Sequence, residues 1–450
     1  MNRRDIDVLR RLASLTLALW LGAFAALPAN AVDVQRVRAG DMEAWLVEDH
    51  TNPLIAVTIA FRGGAATDPV GKEGVARMAA GLLDEGAGDL DAQAFQRRLN
   101  ELAVELSFSA DLDTLTGDMR TLTGNKDRAF DLLRLALEQP RFDPEPVARV
   151  RGQLQASIRQ QLERPASVAS LAFFATMFPD HPYGRPVSGT SGSLDAIGVD
   201  DLRGFVNRRI ARDSLVIGVV GDITPKELAP LLQATFGALP AAAAPIAVAD
   251  SPPGGEGRVI VEEKPVAQSA MVFGHQGPQR DDPAYYAATV VNHLLGGGGF
   301  TSILYQEVRE KRGLVYSVST GLYPLDHAGL IVGSAATANE RAAETVKVVR
   351  DEWRRMAEGA ITAERLEDAK TYLTGSFPLA LTSSERIAGI LVGMQLDNLG
   401  IDYLERRNAL IQAVTLEEAN RVAGEMLNPD EITFVIVGRP EGIEGAGVTN

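Results

Sequence analysis

The chain has 450 residues, 59 acidic and 44 basic side chains, a formal net charge of −15 and no cysteine. That length exceeds a single hydrophobic core and points to two or three domains. The lack of thiols excludes cysteine nucleophiles, thiolate metal sites and iron–sulfur clusters, and the acidic balance argues against nucleic acid or anionic lipid as partners.

The first residues read as a leader. MNRRDIDVLRR is basic, SLTLALWLGAFAAL is apolar and PANA ends on small residues, the pattern of a secretory signal peptide cleaved after Ala31. The apolar run is short for a membrane span and no later run reaches about 20 apolar residues, so no stable membrane anchor is expected. Export to the periplasm is the expectation, and the paired Arg3 and Arg4 are a weak twin-arginine signal. Loss of the leader, with its four arginines and two aspartates, leaves a charge near −17.

In chain order, PLIAVTIAFRGG (53–64) reads as a strand, GKEGVARMAAGLLDEG (71–86) as a helix, and AFQRRLNELAVELSFSAD (94–111) as a helix running into a strand. A strand and a long helix follow in GDMRTLTGNKDRAFDLLRLALE (117–138), and SLVIGVVGDIT (214–224) is a β-branched closing strand. Thr224 is placed as an N-cap with Pro225 in the first helical position. LPAAAAPIAVADSPPGGEG (239–257) has a linker's composition. The same order then returns: SAMVFGHQGP (269–278), DPAYYAATVVNHLLGGGG (282–299), ILYQEVREKRGLVYSVST (303–320), GLIVGSAATANERAAETVKVVRDEW (329–353) and EITFVIVGRP (431–440). Strands occur in pairs between helical runs and alternate apolar with polar positions. The expected fold is α+β, with two homologous halves facing each other around a cavity. Each half is a mainly antiparallel sheet with helices packed on one side. The expected boundaries are an N-terminal domain over 32–238, a linker over 239–257 and a C-terminal domain over 258–450.

This duplicated pattern resembles the pitrilysin-like zinc peptidases, or inverzincins, a group that includes the mitochondrial processing peptidases and their bacterial relatives. HPYGRPVSGTSGSLDAIGVDDLRGFVNRRIARDSLVIGVVGDIT (181–224) and LLGGGGFTSILYQEVREKRGLVYSVSTG (294–321) carry the likeness, and the second stretch is the more specific. Active members have HxxEH on their first helix. Two His at i and i+4 share a helix face and bind zinc, and the Glu is the general base. The matching residues here are Arg77-Met78-Ala79-Ala80-Gly81, so Arg77, Ala80 and Gly81 replace His, Glu and His. The family's third ligand, a Glu on a later helix, is matched in RGQLQASIR (151–159) by Ala156, with Ser157 beside it. The five histidines, His50, His181, His275, His293 and His327, include no pair three or four apart. No metal is therefore expected in this chain. GxSxG and P-loop patterns are absent, and GTSGS (189–193) reads as a turn.

What survives is an arginine and a tyrosine in the second half. Arg309 and Tyr316 match positions that, by the resemblance, face the zinc site and touch the bound peptide near its scissile carbonyl. Donors fixed toward a developing oxyanion lower its barrier, and Gly313 between them permits a sharp helix-to-strand turn. The run Gly296, Gly297, Gly298, Gly299 matches a glycine-rich loop that related partner subunits use for substrate capture; a flexible helix-end loop is its plainer reading. Some family enzymes are split, one subunit holding zinc and the other the Arg/Tyr pair. The resemblance therefore implies a non-catalytic, substrate-contacting subunit of a periplasmic heterodimer. A zinc-bearing partner of the same family would cleave an unfolded peptide. The alternatives are an inert scaffold or peptide-binding chaperone of the same fold and, more remotely, an enzyme with an unrelated site.

Overall fold

The computed structural model describes residues 32–443 and the backbone of 446 and 447; the segment read as a leader, 1–31, lies outside the described residues. Residues 35 onward form two six-stranded sheets built on one plan. The N-terminal strands are β1 (Gln35–Ala39), β2 (Met42–Glu48), β3 (Leu54–Arg62), β4 (Glu105–Ala110), β5 (Thr114–Leu122) and β6 (Leu215–Gly221), ordered β1-β2-β6-β3-β5-β4. The C-terminal strands are β7 (Val259–Glu263), β8 (Gln268–Gln276), β9 (Val315–Leu325), β10 (Ala328–Ala338), β11 (Thr433–Gly438) and β12 (Ala446–Gly447), ordered β12-β7-β11-β8-β10-β9. Five strands correspond one for one in the two orders, β2-β6-β3-β5-β4 with β7-β11-β8-β10-β9, in keeping with the duplication read from the sequence, and only the edge strands β1 and β12 differ. Each sheet is antiparallel from its centre to one edge, and β2–β6 and β7–β11 are its parallel pairs. β12 adds a further parallel pair beside β7. Strands β4 and β9 occupy equivalent edges.

The helices of the first half are α1 (Val75–Ala80), α2 (Ala92–Glu101), α3 (Lys126–Glu138), α4 (Pro144–Glu163), α5 (Pro165–Met177), α6 (Ser191–Asp195), α7 (Val199–Arg209) and α8 (Pro225–Phe236). Those of the second are α9 (Tyr285–Asn292), α10 (Ala342–Ala357), α11 (Ala363–Gly375), α12 (Ser384–Leu396), α13 (Tyr403–Gln412) and α14 (Leu416–Met426). Alternation fixes which sheet face they cover. Ile55, Val57, Ile59 and Phe61 of β3 enter the core of the first half, as Met271 and Phe273 of β8 do in the second. Thr224 caps α8 in a reciprocal box with Glu227, and Pro225 follows it.

Two helices cross between the halves. α5 lies on β8 and β11 of the C-terminal sheet, where Val168, Ala169, Phe173 and Met177 bury Val272, Leu330, Val435 and Val437. α12 lies on β3 and β6 of the N-terminal sheet. Gly218 on β6 admits it, because a Cβ there would stand 2.4 Å from the Ala388 carbonyl oxygen. Gln395 then donates to the Ile217 carbonyl (3.0 Å), and Arg62 to that of Leu396 (2.6 Å). Each sheet thus carries its own helices on one face and a helix of the other half on the opposite face.

Three sequence expectations change in detail. The helix expected over 71–86 is only Val75–Ala80; beyond Gly81 the chain turns, and Leu82 and Leu83 are buried. The helix expected over 282–299 stops at Asn292 and widens into a π-helical turn, His293–Gly297. The linker composition gives no helix or strand between 240 and 258, but the segment is tied down on both sides. Ala244 N–H donates to the Arg208 carbonyl (2.9 Å) and Ser251 N–H to that of His327 (3.1 Å).

Candidate functional site

The surface around Arg309 is built by two local irregularities. Tyr305–Glu310 is a second π-helical turn, which places Tyr305 and Arg309 one above the other. It ends in a left-handed glycine cap with two nested backbone hydrogen bonds. Gly313, at φ +61°, donates to the Arg309 carbonyl (2.8 Å), and Leu314 N–H donates to that of Val308 (3.0 Å). The chain turns there into β9. Val315 pairs with Thr337 and Val318 with Ala335, so Tyr316 and Ser317 together oppose the single residue Ala336. That is a β-bulge, and it re-aims side chains. Val315 and Val318 both point inward, and Tyr316 and Ser317 both face solvent. Strict alternation predicts no such arrangement.

Tyr316 is 80% exposed. The Arg309 guanidinium lies 4.7 Å from the Tyr305 ring centre and 5.2 Å from that of Tyr316, sandwiched between the two faces. Phe300 meets the Tyr305 ring edge-on at 4.9 Å. The closest carboxylate to Arg309 is Glu310, 3.9 Å from Nε. The aromatic faces therefore orient the guanidinium without using its N–H donors. An oriented planar donor set of this kind suits a carbonyl or carboxylate oxygen.

The glycine run borders this surface and is mostly a packing device. A Cβ on Gly296 would lie 2.5 Å from Thr320 Oγ1 of β9, on Gly297 2.8 Å from Asn292 Nδ2, and on Gly298 2.8 Å from the His293 carbonyl oxygen. Gly299 alone has open space around it and a positive φ, +57°. It leads into exposed Phe300. His293, on the preceding π-turn, stacks on Tyr372 at 5.1 Å, and burial lowers its pKa. The structure thus joins Arg309, Tyr316 and the end of the glycine run with Phe300 and Tyr305. Sequence reading passed over the last two; the i, i+4 spacing of Tyr305 and Arg309 was the available signal.

β9 reaches the first half at its other end. Asp326 N–H donates to the Asp113 carboxylate (3.1 Å), and Tyr323 packs on Phe174 at 5.6 Å. Tyr316 stands seven residues further along the strand, about 23 Å away at the usual strand rise.

In the first half, Gly81 N–H donates to the Arg77 carbonyl (3.2 Å), so the positions that would carry paired ligands do share one face. α4 runs alongside, with Val150 Cγ1 3.5 Å from a Cβ built on Gly81 and Arg149 paired to Glu85 (2.5 Å). Ala156 on α4 is exposed. The helix pair is present, but ligand side chains at these positions are not. Arg77, Ala80, Gly81 and Ala156 offer no ligand atom, and Arg77 adds a fixed positive charge. Among the described residues no group of three His, Asp or Glu could hold a metal. The residues do not fit zinc.

Residues 44–191 match the family described as insulinase (peptidase family M16), and residues 196–373 match the peptidase M16 inactive domain. The chain belongs to the M16 insulinase family, the pitrilysin-like group, as a member without the HxxEH motif. Among particular relatives, the protein named non-peptidase homolog YmxG of Helicobacter pylori is 26% identical over 426 residues, 94% of this chain and 97% of that one. An uncharacterized zinc protease of Mycobacterium tuberculosis is 28% identical over 372 residues, 77% of this chain and 84% of that one. The crystal structure of a peptidase M16 inactive domain from Pseudomonas fluorescens matches with a TM-score of 0.85 at 28% identity, over 93% of this chain and all of that one.

Proposed function

We propose that this chain is the non-catalytic, substrate-contacting subunit of a two-chain zinc peptidase that cleaves unfolded peptides in the periplasm. Its parts are a leader (1–31), an N-terminal domain with vacated ligand positions (32–238), a connector (239–257) and a C-terminal domain carrying the Arg/Tyr pair (258–450). The observation that carries the reading is the Arg309–Tyr316 sandwich, solvent-facing and with its donors unspent, in a chain whose zinc positions are Arg77, Ala80, Gly81 and Ala156. The partner supplies zinc and the general base; Arg309 and Tyr316 supply donors to the peptide carbonyls, and Gly299 with Phe300 borders the bound segment. A second reading, an inert peptide-binding scaffold, draws support from the complete loss of ligand chemistry and from the non-peptidase name given to the Helicobacter relative.

The test is chelator-sensitive cleavage of an unstructured peptide, assayed on tagged chain purified from its native source and on the same chain produced alone. Activity only in the native material, together with a co-purifying HxxEH-bearing chain, supports the split enzyme. Silence in both, with no second chain present, selects the scaffold. Activity of the lone chain overturns both readings.

A further inference from the structure

Far from the Arg309 surface, a cavity of 530 Å³ opens between the loop after β3, the His181–Arg185 turn, the last turn of α7 and connector residues 244–248. Three arginines line it, Arg185, Arg208 and Arg209. Arg209 is only 3% exposed. Its Nη2 donates to the Ala244 carbonyl (2.7 Å), but Nε and Nη1 are buried without a partner. Burial and the neighbouring Arg208 charge both depress its pKa, and no carboxylate offsets them. Arg185 spends its Nη atoms on the carbonyls of Asp68 (3.0 Å) and Ala66 (3.1 Å), and its Nε is also buried and unpartnered. The Asp68 carboxylate is no counter-ion for Arg209, because its oxygens accept from Gly74 N–H (2.8 Å) and Ala76 N–H (3.0 Å). A buried guanidinium left without an anion is costly, and here it sits in a strongly acidic protein.

Val70 and Ile246 are exposed at the mouth, and the lining also carries the polar side chains of Thr67, Asp68, Asp180 and His181, with Asp180 exposed. Ile246 Cδ1 and Arg209 Nη1 both crowd Gly63, at 3.3 Å and 2.8 Å from a Cβ built there. Ile246 and the Arg209 guanidinium thus both pack against Gly63.

We propose that this cavity binds a carboxylate attached to an apolar body. Arg208 and Arg209 take the carboxylate, and Val70 and Ile246 take the body. Guanidinium forks pair with carboxylates through two parallel hydrogen bonds, and one such ligand supplies the missing acceptors. The chemistry is shared by a free organic acid and by the C-terminus of a peptide. This assignment does not depend on whether the chain pairs with a zinc subunit.

The test is titration calorimetry on the full chain with N-acetyl-leucine, its amide, a leucine-terminated pentapeptide as acid and as amide, and inorganic phosphate. The expected result is saturable binding of the acids and none of the amides, weakened at least about tenfold in Arg208→Gln and in Arg209→Met. Arg208 is exposed, so its variant keeps the test decisive should Arg209→Met unfold. Binding of the short acid alone assigns a free organic acid; binding of both acids assigns a peptide terminus. No saturable heat from any acid, equal binding of acid and amide, preference for phosphate, or affinity unchanged in Arg208→Gln overturns the proposal.

Discussion

Arg309 and Tyr316 touch because a glycine-capped turn and a β-bulge lie between them: the guanidinium sits 5.2 Å from the tyrosine ring, and that ring faces solvent. The pair is thus a product of two backbone irregularities as much as of two residue choices. If the split-enzyme reading holds, Arg309→Ala lowers turnover of the assembled enzyme by about 10²–10³, the usual loss for one transition-state donor. An exposed cation–π contact contributes only about 0.5–1 kcal/mol, so the variant should melt close to wild type and still pair. Full activity in a paired Arg309→Ala complex removes this residue from the substrate site.

Tyr316 separates two contributions. Tyr316→Phe keeps the ring over Arg309 and deletes the hydroxyl, whereas Tyr316→Ala deletes both. A hydroxyl acting on substrate makes the two variants equally slow in kcat. A ring that only orients Arg309 leaves Tyr316→Phe near wild type.

The glycines of 296–299 are not interchangeable. Gly296→Ala drives a methyl into Thr320, and overpacking of this kind costs about 1–3 kcal/mol. Gly299→Asn, in open space and with a residue that tolerates positive φ, should stay within about 0.5 kcal/mol of wild type. Urea denaturation of the two variants checks this contrast, and equal losses would show that the run acts as one uniform loop.

His275 gives the fold a pH dependence. Trp353 Nε1 donates to His275 Nε2 (2.9 Å), and His275 Nδ1 donates to the Gln276 carbonyl (2.6 Å), a pattern available only to the neutral ring. Burial lowers the His275 pKa, opposed by its hydrogen bond to Gln276 and by Glu431. The unfolded chain, titrating near 6.5, then binds the proton more readily than the folded one. Stability from this group is complete above that pH and falls as the pH drops below it. Denaturation at several pH values should show this slope in wild type and a shallower one in His275→Gln.

Chelation should leave the lone chain unaffected. With no ligand atom at Arg77, Ala80, Gly81 or Ala156, thermal melting with and without a strong chelator should coincide. A lower Tm in chelator would reveal a metal held elsewhere.

The repeated succession of strands and helices along the chain could be read in advance because alternation is local and each half repeated it, whereas the order of strands within each sheet could not. The absence of HxxEH was equally plain, since a missing His is visible in one letter. The bulge at Tyr316 was not, because its cause is the pairing of Val315 with Thr337 and Val318 with Ala335 across the sheet. The glycine run looked free because its partners, such as Thr320 against Gly296, lie on another strand. α5 was not singled out in the sequence; PASVASLAFFATM is largely apolar all round, and only the fold shows that it covers the other half's sheet.

That exchange of α5 and α12 makes the two halves a woven pair. Neither sheet is covered on both faces without the other half's helix, so each fragment made alone would present a bare strip of β-sheet to solvent and aggregate. The same weave makes the connector dispensable as a tether. A protease nick within 240–258 should leave the two pieces clasped, co-migrating as one particle until denaturant parts them.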